Sequence, residues 1–204
     1  MKHEFGTTWN RVTLTPLEGD DFESLRILRN RESQWFKETA EVSYEQQQEW
    51  KKHYQEKPGD YMFKVVRSAY PETFVGAVAL YNIDNDKKAA EFGRLLIDKE
   101  KCGGEKGLGY DTTCAALEIA FRQIGLHKVY LEVLSSNTAA IKTYERAGFE
   151  LLSDDGDMKH MAITAVLFQE MELLVTLSQN PSVRHSGLDP ESFDLQFNPG
   201  SSPE

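Results

Sequence analysis

A glycine-rich loop between a strand pattern and a helix pattern constrains this chain more than any other feature of its sequence. Residues 90–97, AEFGRLLI, predict a strand, and residues 101–110, KCGGEKGLGY, lead into a helix pattern that runs from Tyr110 to Ile124. The first N–H groups of a helix lack internal partners, and glycine lets an anion approach them closely. The segment therefore predicts an anion cradle, for which a pyrophosphate is the usual ligand.

The order of the glycines excludes two common nucleotide sites. It is Gly104-x-x-Gly107-x-Gly109, whereas dinucleotide-binding folds use G-x-G-x-x-G. No Gly-Lys-Ser/Thr sequence follows the loop, which excludes the P-loop of nucleotide triphosphatases. Because a glycine loop alone is as often a plain turn, its specificity has to come from the rest of the chain.

The rest of the chain predicts two N-terminal helices and an antiparallel meander around this unit. Strand patterns cover residues 12–17, 61–67, 73–81, 90–97, 128–134, 149–152 and 160–168, and helix patterns cover 20–30, 43–54, 110–124 and 137–146. Ser43 and Gln46 form a capping-box pattern, and Asp20 or Asp21 is a candidate N-cap of the first helix. Residues 165–178 fit a helix as well as the end of a strand.

Composition and charge narrow the class of protein further. The 204 residues carry a formal net charge of −10, which argues against a basic face for nucleic acid. Cys102 and Cys114 offer neither a disulfide framework nor a metal cluster and suit a reducing compartment. The N-terminus shows no secretory signal, and no apolar run has membrane-spanning length. We expect a cytoplasmic protein without a metal, with a domain at residues 1–176 and a flexible tail at 177–204 that is rich in Pro, Ser, Gly and Asn.

Two segments together resemble the Gcn5-related N-acetyltransferase (GNAT) superfamily. EFGRLLIDKEKCGGEKGLGYDTTCAALEIAF, residues 91–121, is similar to the family's strand, Q/R-x-x-G-x-G/A loop and helix. VYLEVLSSNTAAIKTYERAGFE, residues 129–150, is similar to its next strand, Asn-led helix and G-F ending. The resemblance spans residues 12–168 and looks nearest to bacterial ribosomal-protein and nucleotide-amino-sugar acetyltransferases. Gly104 departs from the motif, because it stands where the family has Gln or Arg.

This resemblance implies both a fold and an activity. The fold is the acyl-CoA N-acyltransferase (GNAT) fold of the α/β (α+β) class, a mixed, mostly antiparallel sheet of about six or seven strands with helices on both faces and a splayed parallel strand pair. The activity is transfer of an acetyl group from acetyl-CoA to a primary amine by direct attack in a ternary complex. A nucleotide-linked amino sugar, a protein N-terminus or a small polyamine-like molecule remains open as the acceptor, and a monomer or homodimer as the assembly. The alternative is a catalytically silent acyl-CoA-binding regulatory module.

The resemblance also implies roles for particular residues. Backbone N–H groups would hold the CoA pyrophosphate at Glu105, Lys106, Gly107, Leu108, Gly109 and Tyr110. The pantetheine arm would contact Leu95, Leu96, Ile97 and Asn137. Asn137 is equally well explained as a helix N-cap. Lys101 and Lys106 are either additional phosphate ligands or ordinary solvated lysines.

Two side chains are candidates for proton transfer. Tyr144 would protonate or hydrogen-bond the departing thiolate, unless it is a helix tyrosine packed on the sheet. Glu91 would take the proton of the acceptor ammonium, unless it is an inert strand glutamate or a partner for a nearby lysine or arginine. On the acceptor side, Arg29 and Arg31 would bind a phosphate. Trp35 and Phe36 would stack on a ring or, more simply, belong to the core.

Overall fold

A mixed sheet of eight strands organises the part of the chain that the computed structural model describes, residues 2–36 and 38–179. The strands are β1 (Thr7–Trp9), β2 (Val12–Pro16), β3 (Tyr61–Arg67), β4 (Tyr70–Asp84), β5 (Ala89–Ile97), β6 (Lys128–Leu134), β7 (Glu150–Asp154) and β8 (Met158–Thr164). Their order is β1-β2-β3-β4-β5-β6-β8-β7, and β5 and β6 are the parallel pair among antiparallel neighbours. The expected fold class is confirmed. The sheet exceeds the expected six or seven strands because β1 is too short to show an alternating pattern.

The described residues form five α-helices. They are α1 (Asp21–Arg31), α2 (Tyr44–Glu56), α3 (Leu108–Glu118), α4 (Thr138–Arg146) and α5 (Ala165–Gln179). A 3-10 turn, Ser33–Trp35, follows α1, and α3 continues into one π-helical turn, Ile119–Gln123.

The register of β4 and β5 decides which face each helix covers. Ala79 pairs with Gly93 and Leu80 with Phe92, and successive pairs of a sheet point to opposite faces. On the Ala79 face, α1 and α2 contribute buried side chains to one core, among them Phe22, Leu25, Leu28 and Tyr54. On the other face, Phe92 contacts Tyr144 of α4, with ring centroids 5.7 Å apart. The sheet therefore separates the α1–α2 layer from the layer that contains α4.

The helix starts are confirmed in part. Ser43 Oγ accepts from the Gln46 N–H and the Gln46 side chain accepts from the Ser43 N–H, which is the predicted capping box. Asp20 is the N-cap residue of α1, as predicted, but its side chain makes no capping bond. The Asp21 carboxylate instead accepts from the Glu18 N–H at 3.1 Å, which stabilises the turn before the helix.

Several element boundaries differ from the predicted ones. β4 begins at Tyr70 and passes through Pro71, since its first residues are exposed and proline is tolerated at the start of a strand. α3 begins at Leu108, two residues earlier than predicted, which places Gly109 in its first turn. Residues 165–168 are helix and not strand, so the helical alternative for 165–178 is confirmed in α5. The predicted tail begins inside α5, and its residues 180–204 lie outside the described residues.

Candidate active site

The two parallel strands separate after a short paired stretch. β5 and β6 pair from Ala89 opposite Lys128 to Glu91 opposite Tyr130. Beyond Glu91, the described strand β5 continues to pair with β4, and its other edge faces an opening towards β6. The splayed parallel pair expected for the fold is therefore present, and it opens directly after Glu91.

A cavity of about 730 Å³ occupies this opening. Five of the residues predicted to be catalytic or to contact the coenzyme line it: Glu91, Leu95, Leu96, Asn137 and Tyr144. Ile97 pairs with Gly76 of β4 at the next position of the strand. Because Glu91 pairs with Tyr81 on the α1–α2 face while Tyr144 belongs to α4, the cavity is reached from both faces of the sheet. Two substrates can thus meet in it from opposite sides.

A β-bulge reshapes β5 inside the cavity. Gly93 pairs with Ala79 and Leu96 with Ala77, so Arg94 and Leu95 together lie opposite one residue of β4. A bulge takes backbone groups out of the regular ladder, which is the arrangement in which an N–H can donate to a ligand oxygen. The bulge coincides with the stretch expected to contact the pantetheine arm and the thioester carbonyl.

An ion pair holds this bulge in place. Arg94 has a φ of +52°, a conformation that costs a residue with a side chain about 1–3 kcal/mol. Its guanidinium makes a two-pronged pair with Asp60, with Nη1–Oδ1 at 2.8 Å and Nη2–Oδ2 at 3.1 Å. The Asp60 side chain is buried, and the guanidinium carbon lies 4.3 Å from the centre of the Tyr81 ring. Sequence analysis missed both residues of the pair, because 34 positions separate them in the chain.

The glycine loop and the first turn of α3 form an anion-binding arrangement. The N–H groups of Leu108, Gly109 and Tyr110 are the first three of the helix, so they have no intrahelical acceptor. The cleft in front of them measures about 280 Å³ and is lined by Gly107, Gly109, Tyr110, Lys142, Thr143 and Arg146. Unpartnered N–H groups beside two cationic side chains are the donor set that a pyrophosphate requires, so the loop fits this part of CoA.

The two basic residues of this cleft were not singled out from the sequence. Lys142 and Arg146 lie one turn apart on α4, and the Arg146 guanidinium carbon is 4.1 Å from the centre of the Tyr110 ring. Burial raises the pKa of Tyr110 to about 12, so its phenol stays neutral beside the cleft. Their i,i+4 spacing was a visible signal, but only the packing of α3 against α4 shows that the pair faces the loop.

The conformation of the loop explains its departure from the family motif. Gly104 and Gly107 have φ values of +79° and +87°, where an L-residue with a side chain is strained by about 1–2 kcal/mol. A Gln or Arg at position 104 would therefore be costly in this longer loop. The Glu105 N–H donates to the Cys102 carbonyl at 3.2 Å, so this predicted pyrophosphate donor is engaged within the loop. The candidate donors begin at Lys106.

Asn137 begins α4 at the edge of the cavity. Its Oδ1 accepts from the Ala140 N–H at 3.2 Å, so the N-cap interpretation is confirmed. The residue also lines the cavity, and its amide can therefore contact a ligand while its oxygen caps the helix.

Tyr144 of α4 lines the cavity two turns beyond Asn137. Its side chain is 8% exposed and packs edge-on against Phe92 and close to Phe149, as the core interpretation expected. Burial raises the pKa of the Tyr144 phenol well above its usual value, so the hydroxyl is protonated at neutral pH. A protonated phenol beside the opening is a hydrogen-bond donor available to a leaving group.

Glu91 is held by two donors from β4. The Tyr81 hydroxyl donates to Oε1 at 2.7 Å and Asn82 Nδ2 donates to Oε2 at 2.9 Å. Its partners are therefore not the lysine or arginine of the alternative interpretation. Burial, together with the adjacent carboxylate, raises the pKa of Tyr81 and keeps its hydroxyl protonated as the donor. Each Glu91 oxygen retains a lone pair, so the carboxylate can still accept a proton from the cavity.

The arginines expected on the acceptor side are engaged within the protein. Arg31 lies 2.7 Å from Asp98 and 2.8 Å from Glu100. Arg29 donates to the carbonyl oxygens of Glu38 and Ala40, which holds the loop after α1. The positions of these guanidiniums argue against the predicted phosphate-binding role.

The two aromatic residues beside them differ from each other. Phe36 packs against the α1–α2 core, as expected, and lines the cavity. Trp35 also lines the cavity but is 44% exposed, so the core interpretation was wrong for this residue. The 3-10 turn rather than an α-helix presents Trp35, which breaks the helical spacing that suggested a core position.

The described residues show neither a metal cluster nor a membrane-spanning helix. In residues 2–36 and 38–179, no cluster of three or more His, Cys, Asp or Glu side chains is arranged to hold a metal ion. No helix in the same part of the chain is long and apolar enough to cross a membrane. Cys114 of α3 is buried.

The fold and the site define an acyl-CoA-dependent transferase: a parallel strand pair opens around a cavity, and an anion-binding glycine loop follows one of its strands. A sequence profile described as "Acetyltransferase (GNAT) domain" matches residues 11–150. The chain belongs to this GNAT acetyltransferase family, and it is an acetyl-CoA-dependent N-acetyltransferase. Acetyl-CoA is its cosubstrate, so the alternative of a catalytically silent module is set aside.

Similar proteins include polyamine acetyltransferases. Spermidine N(1)-acetyltransferase of Vibrio cholerae serotype O1 is 32% identical over 143 residues, 69% of this chain and 79% of that protein. The protein of the same name from Escherichia coli K12 is 30% identical over 152 residues, 73% of this chain and 76% of that protein. The crystal structure of the V. cholerae spermidine N-acetyltransferase with CoA and spermine has a TM-score of 0.68 at 27% identity, covering 78% of this chain and 98% of that one. Apo FdhC, a nucleotide-linked sugar GNAT, has a TM-score of 0.74 at 20% identity over 85% and 98% of the two chains, which shows a common fold.

Proposed function

We propose that this enzyme acetylates a primary amine of a small polycation of the spermidine class. The observation that carries the proposal is the charge of the cavity. Among the described residues that line it, Glu38, Glu91 and Glu132 are carboxylates. Glu38 and Glu41 also line the adjoining cavity of about 420 Å³ below the loop after α1. Such a surface attracts an acceptor with several ammonium groups.

The cations of the same cavity offset only part of this charge. Among its described lining residues the cations are Arg29 and Arg94. Arg94 is paired with buried Asp60, and Arg29 is bound to two backbone carbonyls. A nucleotide-linked sugar would bring its own negative charges to a surface where three carboxylates outnumber two guanidiniums, one of which is already paired with Asp60. The similarity to proteins named spermidine acetyltransferases at 30–32% identity supports the same acceptor class.

The proposed chemistry assigns one proton transfer to each side of the cavity. A primary ammonium with a pKa of about 10 is almost wholly charged at neutral pH and has no lone pair for attack. Glu91 accepts this proton, while Tyr81 and Asn82 hold the carboxylate towards the cavity. Acetyl-CoA supplies the thioester carbon that the free amine attacks. As the tetrahedral intermediate collapses, the C–S bond breaks and the protonated Tyr144 hydroxyl gives its proton to the departing sulfur. The second proton of the attacking nitrogen passes to the resulting phenolate, which restores Tyr144.

The acceptor proposal is tested with a panel of amines at fixed acetyl-CoA. Spermidine and spermine should give a higher kcat/KM than a nucleotide-linked amino sugar or a peptide N-terminus. Glu38→Gln and Glu132→Gln should raise KM for spermidine, and added salt should raise it too because the attraction is electrostatic. Glu150→Gln, an exposed change on β7, is the matched control. A higher kcat/KM for the nucleotide-linked sugar would overturn the proposal.

The role of Glu91 is tested separately through the pH profile. In Glu91→Gln, only the small fraction of acceptor that is already deprotonated can react, so the rising limb of kcat/KM should move to higher pH. CoA affinity should remain unchanged because Glu91 faces the acceptor side of the sheet. A profile that coincides with that of the unaltered enzyme would remove Glu91 from the mechanism.

A further inference from the structure

Arg11 reaches the glycine loop from outside both sequence motifs. It lies in the turn between β1 and β2. Its Nη1 donates to the Lys106 carbonyl at 3.0 Å, and Nη2 would be 3.0 Å from a Cβ at Gly107. The guanidinium therefore lies against the segment that enters the helix.

The same guanidinium pairs with a buried carboxylate in the first turn of α3. Arg11 Nε and Nη2 lie 2.8 Å and 2.7 Å from Asp111 Oδ2. The Asp111 side chain is 2% exposed, and Asn10 Nδ2 donates to its other oxygen at 3.2 Å. The Asp111 N–H donates to the Gly107 carbonyl, so the carboxylate and the loop belong to one turn.

Asp111 creates an electrostatic problem for an anion site. The first turn of a helix attracts an anion through its N–H groups and its dipole, but a carboxylate in that turn repels the same anion. The repulsion is strong in a buried position, because screening by water is weak there. A guanidinium that holds the carboxylate in a two-pronged pair cancels most of the negative charge.

We propose that Arg11 is a positioning residue for coenzyme binding: it neutralises Asp111 beneath the glycine loop and so keeps the first turn of α3 attractive to the CoA pyrophosphate. The inference rests on the proposed binding of pyrophosphate at this loop. It does not depend on the acceptor, since coenzyme affinity is measured without one.

Calorimetric titration with CoA tests the proposal in four variants. Arg11→Met should weaken CoA binding about tenfold or more, which corresponds to a loss of about 1.4 kcal/mol. Asp111→Asn should bind CoA at least as tightly as the unaltered chain. The double variant should recover most of the affinity lost in Arg11→Met, because the repelling charge is gone. Arg122→Gln, an exposed change in the π-helical turn after α3, is the control for loss of one positive charge.

A second readout separates electrostatics from loosening of the fold. The KM for S-acetylpantetheine, which lacks the pyrophosphate and the nucleotide, should differ less than twofold between Arg11→Met and the unaltered chain. An equal loss for both donors, or a double variant as weak as Arg11→Met, would overturn the proposal. If Arg11→Met does not fold, Asp111→Asn alone decides: weaker CoA binding would contradict the neutralising role. A Gly109→Ala variant that binds CoA normally would instead show that the pyrophosphate lies elsewhere. That outcome would contradict the coenzyme site itself, whereas the outcomes above contradict only the role of Arg11.

Discussion

Replacing Gly109 by alanine should stabilise the protein and weaken its hold on CoA at the same time. Gly109 lies in the first turn of α3, and a Cβ there would meet only Thr143 Cγ2, at 4.0 Å, within the described residues. Alanine is favoured over glycine in a helix by up to about 1 kcal/mol. For a domain of this size, that gain corresponds to a rise in Tm of about 2–4 °C.

The same methyl group should obstruct the anion cradle. Side chains of a helix tilt towards its N-terminus, so the new methyl group projects into the cleft in front of the N–H groups. If the pyrophosphate is held there, contact at hydrogen-bond distance is lost, and CoA should bind about tenfold more weakly, a change of about 1.4 kcal/mol. Thermal unfolding of the free protein and calorimetric titration with CoA measure the two effects independently.

A matched glycine in the same loop serves as the control. Gly107→Ala combines a φ of +87° with a Cβ 3.0 Å from Arg11, so it should lower Tm as well as CoA affinity. The opposite signs for stability distinguish loss of a ligand site from loss of the fold. A Gly109→Ala variant with unchanged CoA affinity would refute the assignment of the loop as the pyrophosphate site.

Three further outcomes follow from the structure. Tyr144→Phe should lower kcat by about 10²-fold or more with little change in CoA affinity, since a positioned acid typically contributes this much. Single-turnover rates and calorimetry measure the two quantities, and an equal loss of rate and of CoA affinity would contradict the assignment. Gly76→Ala places a Cβ 2.2 Å from the Leu96 carbonyl oxygen, so β5 must shift. We expect the free energy of unfolding to fall by about 1–3 kcal/mol and kcat to fall as well, as measured by denaturant titration and steady-state kinetics. Burial favours the neutral form of Asp98, but its pairing with Arg31 and bonds from nearby N–H groups outweigh burial and lower its pKa. The stability that Asp98 contributes is present above its unfolded pKa of about 3.9 and is lost as pH falls through the lower folded pKa. Asp98→Asn should therefore make Tm fall less steeply as pH is lowered below about 4, and an unchanged dependence of Tm on pH would refute this.

Local patterns predicted the elements that carry the site. The strands at 61–67 and 128–134 have the predicted bounds, because each is a run of apolar and β-branched residues between turn residues. The capping box at Ser43 and the N-cap at Asn137 were likewise readable, since each depends on residues three positions apart. The glycine spacing and the Asn-led helix were enough to predict the family.

Contacts between distant residues were not predictable in the same way. Nothing local joins Asp60 to Arg94, Tyr81 to Glu91 or Arg11 to Asp111, because each pair forms only when the sheet brings different strands and helices together. For the same reason, the arginines assigned to phosphate on the acceptor side proved to be bound elsewhere.

The sequence by itself determined the class of fold and predicted the coenzyme loop and the candidates for proton transfer, since these depend on residue type and short spacing. The tertiary structure decided how those residues are held and what the cavity favours. It placed a bulge opposite β4, paired Arg94 with Asp60 and left carboxylates along the walls of the cavity. Charge and strain at a site are sums over neighbours in space, and only folding determines which neighbours those are.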